Sequence, residues 1–328
     1  MDAGANGESI CPPDKECDTI NTVGIWREAN LDLRYRKYEY QYHIMMIPVV
    51  AFLVLFHVVP MFGIVIAFQR YLPAKGIFES EWVGLKYFEL MFKMSDSFRI
   101  FRNTFIIAVA KIVCNLIVPV CFALLLNEIR NVYYKRAIQT IVYIPHFLSW
   151  VVLATPIINI FAYNGVINKI MEWFGGNSIL FMASNQHFRA ILVGTDTWKE
   201  FGFGTIVYLA AITGISPSLY EAAEIDGATR WQKVLHVTLP EMVPIIVLMA
   251  TRSLGNVLNA GFDQVFNLYS PAVYETADII DTYVYRVGLL QMNFSLSTAI
   301  GLLKSVISMV LILSSYQLAY RLANYRIF

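Results

Sequence analysis

Six ionisable side chains stand inside otherwise apolar stretches of this 328-residue sequence: Lys111, Asp196, Lys199, Glu200, Arg252 and Lys304. A charge at the centre of a bilayer costs about 2.5–3.5 kcal/mol on insertion scales, so such residues face a water-filled cavity, an opposite charge or a ligand. Asp196 lies three residues before Lys199, one helical turn away, which offers Lys199 a local partner. Arg252 and Lys304 have no acidic neighbour within their own apolar runs and are candidates for facing a substrate or another chain. Trp198 stands among these charges in "DTWKEFGFG", where its ring serves either packing or a sugar face, and Gly202 and Gly204 are placed to loosen the helix. The chemistry open to this set is recognition of charge, and because its cations outnumber its anions, an anionic ligand would balance it.

Bond-breaking chemistry finds no support. The sequence has no GxxxxGK[ST], HExxH or GxSxG, and its five histidines are dispersed, so His57 and His146 read as hydrogen-bonded packing residues. Cys11 and Cys17 lie in the polar N-terminal segment, and Cys114 and Cys121 are seven apart in one apolar run. None has zinc-site spacing, and all four are expected as free thiols, the second two as buried, inert packing residues. A net charge of +1 and the absence of a basic stripe give no sign of nucleic acid.

These side chains must be positioned by membrane helices. With 57% hydrophobic and 15% charged residues and a mean hydropathy of +0.54, the chain is an integral membrane protein. Crossing about 30 Å of hydrocarbon takes roughly 20 apolar residues, and six runs qualify: 44–68, 104–126, 137–161, 190–212, 243–260 and 297–318. The expected fold is therefore all-α, with a 1–43 N-terminal segment, a 44–320 transmembrane domain and a 321–328 tail. Arg34, Arg36 and Lys37, then Arg130, Lys135 and Arg136, then Arg230 and Lys233, and finally Arg321 and Arg326 fall on one side of six spans. That side, with both termini, is expected to be cytoplasmic. Ile279, Ile280, Tyr283, Val284 and Val287 form a helical stripe in the last outer connection, which predicts an interfacial helix.

The loop 214–240 is the polar island of the second half. Pro217 starts a short helix that Gly227 ends, and "ATRWQKVLHV" makes a second before Pro240 stops it. Glu221, Glu224 and Asp226 offer carboxylates to a partner's arginine, and Ala222 and Ala223 leave room for close packing. The plain alternative is a hairpin that only joins two spans.

Glu221-Ala222-Ala223, Gly227 four residues after Ala223, then nine residues, Val237, Thr238, Leu239 and Pro240 resemble the EAA loop of ABC importer permeases, EAA-x3-G-x9-I-x-LP, with valine for isoleucine. "WVGLKYF", "LLLNEIRN", "YIPHFLSWVV" and "LYEAAEIDGA" are similar to the polysaccharide branch of the sugar-type permeases, over roughly residue 38 to the C-terminus. That branch includes importers of alginate and other oligosaccharides rich in uronic acids. The resemblance implies six transmembrane helices of the type I importer permease fold in a bacterial cytoplasmic membrane. It implies a coupling helix in which Glu221, Ala222, Ala223, Asp226 and Gly227 meet an ATPase, with Glu221 as salt-bridge partner and Gly227 as turn. The implied partners are a second homologous permease, two copies of a cytosolic ATPase that bind ATP and magnesium, and a solute-binding protein. This chain would hold no cofactor. By the same reading Lys111, Trp198, Lys199, Arg252 and Lys304 are candidates for the substrate path. Two other classes stay open: an ion-coupled secondary transporter, for which no internal repeat is visible, and a membrane enzyme acting on lipid-linked sugars, for which no convergent acid, base or metal set is visible.

Overall fold

The computed structural model describes residues 40–323; Cys11, Cys17, Arg34, Arg36, Lys37 and Arg326 lie outside the described residues. Helix α1 occupies Tyr40–Phe68, containing a π-helical turn at Val54–Val58 and ending in a 3-10 segment, Phe62–Phe68. A two-residue hairpin ladder follows, β1 (Gln69–Arg70) antiparallel to β2 (Glu81–Trp82). Then come α2 (Lys86–Lys93), α3 (Ser95–Asn127), α4 (Val132–Tyr143), α5 (Trp150–Ile160) and α6 (Val166–Trp173). Helices α7 (Phe188–Thr213), α8 (Pro217–Ile225) and α9 (Arg230–Leu254) carry the chain through the polar island and back into apolar sequence. The outer segment holds α10 (Phe262–Leu268) and α11 (Ile280–Tyr285), which runs on into a π-helical turn, Arg286–Leu290, and α12 (Phe294–Ala323) closes the described chain. Four of these helices are long and apolar enough to cross a membrane, and six spans result if each of two bent pairs counts as one.

The bent pairs correct the expectation of uninterrupted runs. The third run breaks into α4 and α5 at an angle of 104°. The cause is local: Pro145 sits in a 3-10 turn at Ile144–Phe147, Leu148 is extended, and Ser149 caps the new helix by accepting from the Val152 amide. Asn131 does the same for α4, accepting from the amides of Tyr133 and Tyr134. The fifth run is corrected in the opposite sense. Pro240 does not stop the preceding helix, because a π-helical turn at Val234–Thr238 joins it to the rest of α9, and the proline stands where the register shifts.

The α3–α7 pair forms the centre. At one end, Ile107 and Ala108 of α3 pack with Leu153, Ala154 and Ile157 of α5, Phe188 and Leu192 of α7, and Val265 and Leu268 of α10. At the other, Val120, Ala123 and Leu126 of α3 meet Tyr208, Leu209 and Ile212 of α7 and Met242 of α9. Gly202 and Gly204 do not loosen α7, which is continuous through them. A Cβ on Gly202 would overlap the Val142 carbonyl and one on Gly204 would press on the Pro119 ring, so both glycines let neighbouring helices approach. The stripe predicted in the outer segment is present: Ile280, Tyr283 and Val287 are buried against Met91, Ile100, Leu296 and Ile300. Cys121, expected to be buried, is exposed on α3, and Cys114 is half-buried.

Candidate functional site

The polar island folds into two helices around a glycine. Pro217 stands at the first position of α8, where its missing N–H costs nothing. Gly227 ends the helix at φ +75°, donating to the Glu224 carbonyl at 3.0 Å while the Ala228 amide reaches the Ala223 carbonyl at 2.9 Å. This is the paired closure of a left-handed helix end, which favours glycine. Thr229 and Gln232 form a capping box that starts α9. Lys233 pairs with Glu224 at 3.0 Å, and the Tyr220 hydroxyl meets Thr238 Oγ1 at 2.9 Å, so the two helices are tied together at both levels. Glu221, Ala222, Asp226 and Gly227 are exposed and Ala223 is half-exposed. Among the described residues neither Glu221 nor Asp226 has a cation within 4.0 Å, so both carboxylates are free for an incoming partner. No atom lies within 4 Å of where a Gly227 side chain would project. Conformation, and not crowding within this chain, selects the glycine.

The intramembrane charges sort differently from the spacing-based expectation. Asp196 does not pair with Lys199. It faces α3, where Lys111 Nζ lies 3.1 Å from its Oδ1 and Asn115 donates to Oδ2 at 2.9 Å. Lys111, 6% exposed, also donates to the Ala260 carbonyl at 2.7 Å and to Gln264, whose amide in turn reaches the Leu192 carbonyl at 2.7 Å and Thr195 Oγ1 at 2.8 Å. Every ammonium proton has an acceptor, and the cluster clamps α3, α7 and α10 together. Lys199 turns to its neighbour Glu200 at 2.9 Å and to the His146 carbonyl at 2.9 Å, and it lies 5.6 Å from the Trp150 ring. His146 Nδ1 is 2.7 Å from Glu200 Oε2, and its ring stacks on Phe203 at 4.0 Å. These contacts fix the break in the third run against α7.

Lys304 is also paired, with Asp281 of α11 at 2.5 Å. Asp281 was missed in the sequence because it belongs to the outer segment, and nothing along the chain connects it with residue 304. Arg252 is exposed, with no carboxylate within 4.0 Å among the described residues. Trp198 is 47% exposed, so it is not core packing within this chain. The surplus of cations counted along the sequence therefore shrinks to Arg252 once Asp281 is included. No group of three or more metal-binding side chains occurs among the described residues.

Residues 119–324 match the family described as binding-protein-dependent transport system inner membrane component. The chain belongs to this family. The permease is 40% identical over 306 residues to the polygalacturonan/rhamnogalacturonan transport system permease protein YteP of Bacillus subtilis (strain 168), across 93% of this chain and 95% of that one. It is 40% identical over 278 residues to protein LplB of the same organism, across 84% and 87% of the two chains. A solved bacterial ABC transporter involved in the import of the acidic polysaccharide alginate superposes with a TM-score of 0.81 at 35% identity, covering 88% of the permease and 98% of that chain. A second structure, of a bacterial alginate ABC transporter in complex with alginate pentasaccharide-bound periplasmic protein, gives 0.80 at 35% identity, covering 87% and 96%. The permease is thus an all-α, multi-pass transport subunit of the ABC importer type and not an enzyme.

Proposed function

We propose that the permease is one of two related transmembrane subunits of an ATP-driven importer of acidic oligosaccharides, of the oligouronide or alginate class. The observation that carries this reading is the 40% identity to a polygalacturonan/rhamnogalacturonan permease along nearly the whole chain. The likeness to an alginate transporter points to the same chemistry, a chain of sugar rings each bearing a carboxylate. In this reading α8 is the coupling helix. Its exposed Glu221 and Asp226 dock on a cytosolic ATPase that binds ATP and magnesium, Ala222 and Ala223 allow close approach, and Gly227 sets the turn. Two ATPase copies serve the two permeases. The membrane is the bacterial cytoplasmic membrane, residues 1–43 and 321–328 are cytoplasmic, 44–320 form the transmembrane domain with its coupling loop at 214–240, and a solute-binding protein delivers sugar to the opposite face. Trp198, 47% exposed on α7, offers an aromatic face that suits a sugar ring.

The test is uptake of trigalacturonate and of a neutral trisaccharide by cells or proteoliposomes carrying the complete importer. Trigalacturonate is expected to enter in an ATP-dependent way and the neutral sugar much more slowly. Preference for the neutral sugar would overturn the substrate class, and uptake without an ATPase would overturn the mechanism.

A further inference from the structure

Two cavities open along the face of α12, of about 540 and 440 Å³, and Asp281 stands in the wall of both. The Lys304–Asp281 pair therefore sits where they adjoin. Both are open grooves and not enclosed cavities. The larger, which holds Lys304, is walled by Met309 and Ile312 with the hydroxyls of Ser305 and Ser308, and the smaller by the aromatic rings of Phe262 and Phe294. Flat apolar faces beside scattered hydroxyls suit a sugar ring, which presents C–H on its faces and O–H at its rim.

We infer that Lys304 and Asp281 form a carboxylate-exchange site, in which a uronate carboxylate of the passing sugar replaces Asp281 on the Lys304 ammonium. This rests on the acidic-oligosaccharide reading above. The three paired lysines within the spans differ in what their partners leave free. Lys111 has its three protons engaged and its side chain 7% exposed, and Lys199 has two acceptors and is 8% exposed. Lys304 has one acceptor among the described residues, its side chain is 20% exposed and that of Asp281 is 25% exposed, so this pair is the most open of the three. Both partners are partly exposed, and exposure to water weakens an ion pair. Replacing one carboxylate by another on the same ammonium keeps the charge balance. The exchange is therefore reversible, as release of a transported sugar requires. Neutral sugars lack the group that competes with Asp281. Asp281 acts here as a positioning residue that sets the strength of the site through Lys304.

The experiment uses the importer complex purified with its ATPase and second permease. Binding of radiolabelled trigalacturonate is measured without the binding protein, for wild type, Lys304→Gln and Asp281→Asn. Both substitutions are close to isosteric and both break the same ion pair. A merely structural pair would make them fail alike. Exchange predicts opposite signs: Lys304→Gln weakens trigalacturonate binding about fivefold, whereas Asp281→Asn, which removes the competitor, tightens it by a similar factor. The methyl ester of trigalacturonate, which lacks the charge, responds to neither. Weaker binding in both variants, loss of complex assembly in both, or equal changes for acid and ester would overturn the inference, as would undetectable binding in a wild-type complex that transports the sugar. A wild type that imports no oligouronide would instead overturn the substrate reading, and this inference with it.

Discussion

Lys111 shows what a single buried charge does in this protein. The sequence shows it as a cation in an apolar run, and in the structure it is an internal tie whose ammonium is met by Asp196, Gln264 and the Ala260 carbonyl. Removing one partner of such a pair leaves an uncompensated charge, which typically costs about 3–5 kcal/mol. Lys111→Met is therefore expected to lower the thermal midpoint and the yield of the purified complex sharply. The double variant Lys111→Met/Asp196→Leu, which removes both charges, should regain most of that loss, and a thermal-shift series on the two singles and the double checks it. Additive losses would refute the pairing. The spacing of three residues offers Asp196 to Lys199 but shows only that two side chains can meet. Which lysine Asp196 chooses depended on α3 packing against α7.

At the level of elements, the loop 214–240 was readable because its signals are local: a proline at the first turn of α8, a glycine in the left-handed region at its end, and a capping box opening α9. A side chain in the left-handed region costs about 1–2 kcal/mol, most for β-branched residues and least for asparagine. Gly227→Val is expected to shift the angle of the exposed carboxylates and abolish stimulation of ATP hydrolysis by loaded binding protein, while the membrane subunits still assemble. Gly227→Asn should keep at least half of the stimulation. ATPase assays on the two variants beside Glu221→Ala test this, and wild-type stimulation from both Gly227→Val and Glu221→Ala would remove the loop from the coupling path. A second element, the outer segment, depends on Asp278. Its side chain is 1% exposed and pairs with Arg286 at 2.5 Å, and the guanidinium lies 4.4 Å from the Tyr274 ring. Burial opposes the Arg286 charge, but the hydrogen bonds and attraction of Asp278 outweigh it and hold the group's pKa above its ordinary value. Asp278→Asn should loosen this segment by about 3–5 kcal/mol, seen as faster proteolytic cleavage between residues 262 and 296 with the spans intact.

For the whole molecule, the proposed function gives each permease one coupling loop to fill one of the two clefts of an ATPase dimer. Large apolar side chains such as Val151 and Val152 of α5 are 68% and 60% exposed within this chain, surface that lipid or another subunit must cover. The expected assembly contains this chain once, a different permease once and two ATPases. Native mass measurement of the purified complex checks the stoichiometry, and an active complex with two copies of this chain and no other permease would refute it.

The sequence by itself determined the class of protein, the number of apolar runs and the helix–glycine–helix form of loop 214–240, because hydrophobic length, capping and glycine turns act over a few neighbouring residues. It also marked every intramembrane charge, since each is an interruption of a uniform background. Only the tertiary structure decided how those charges are used. Lys111 finds its acceptors at residues 196, 260 and 264, and Lys304 finds Asp281 across the turn that precedes α12, partners that depend on which helix faces are brought within about 3 Å of one another. The bend between α4 and α5 has local causes, the 3-10 turn at Pro145 and the Ser149 cap, but a proline alone is compatible with a break or with a π-helical turn, and only the structure shows that α9 runs unbroken through Pro240.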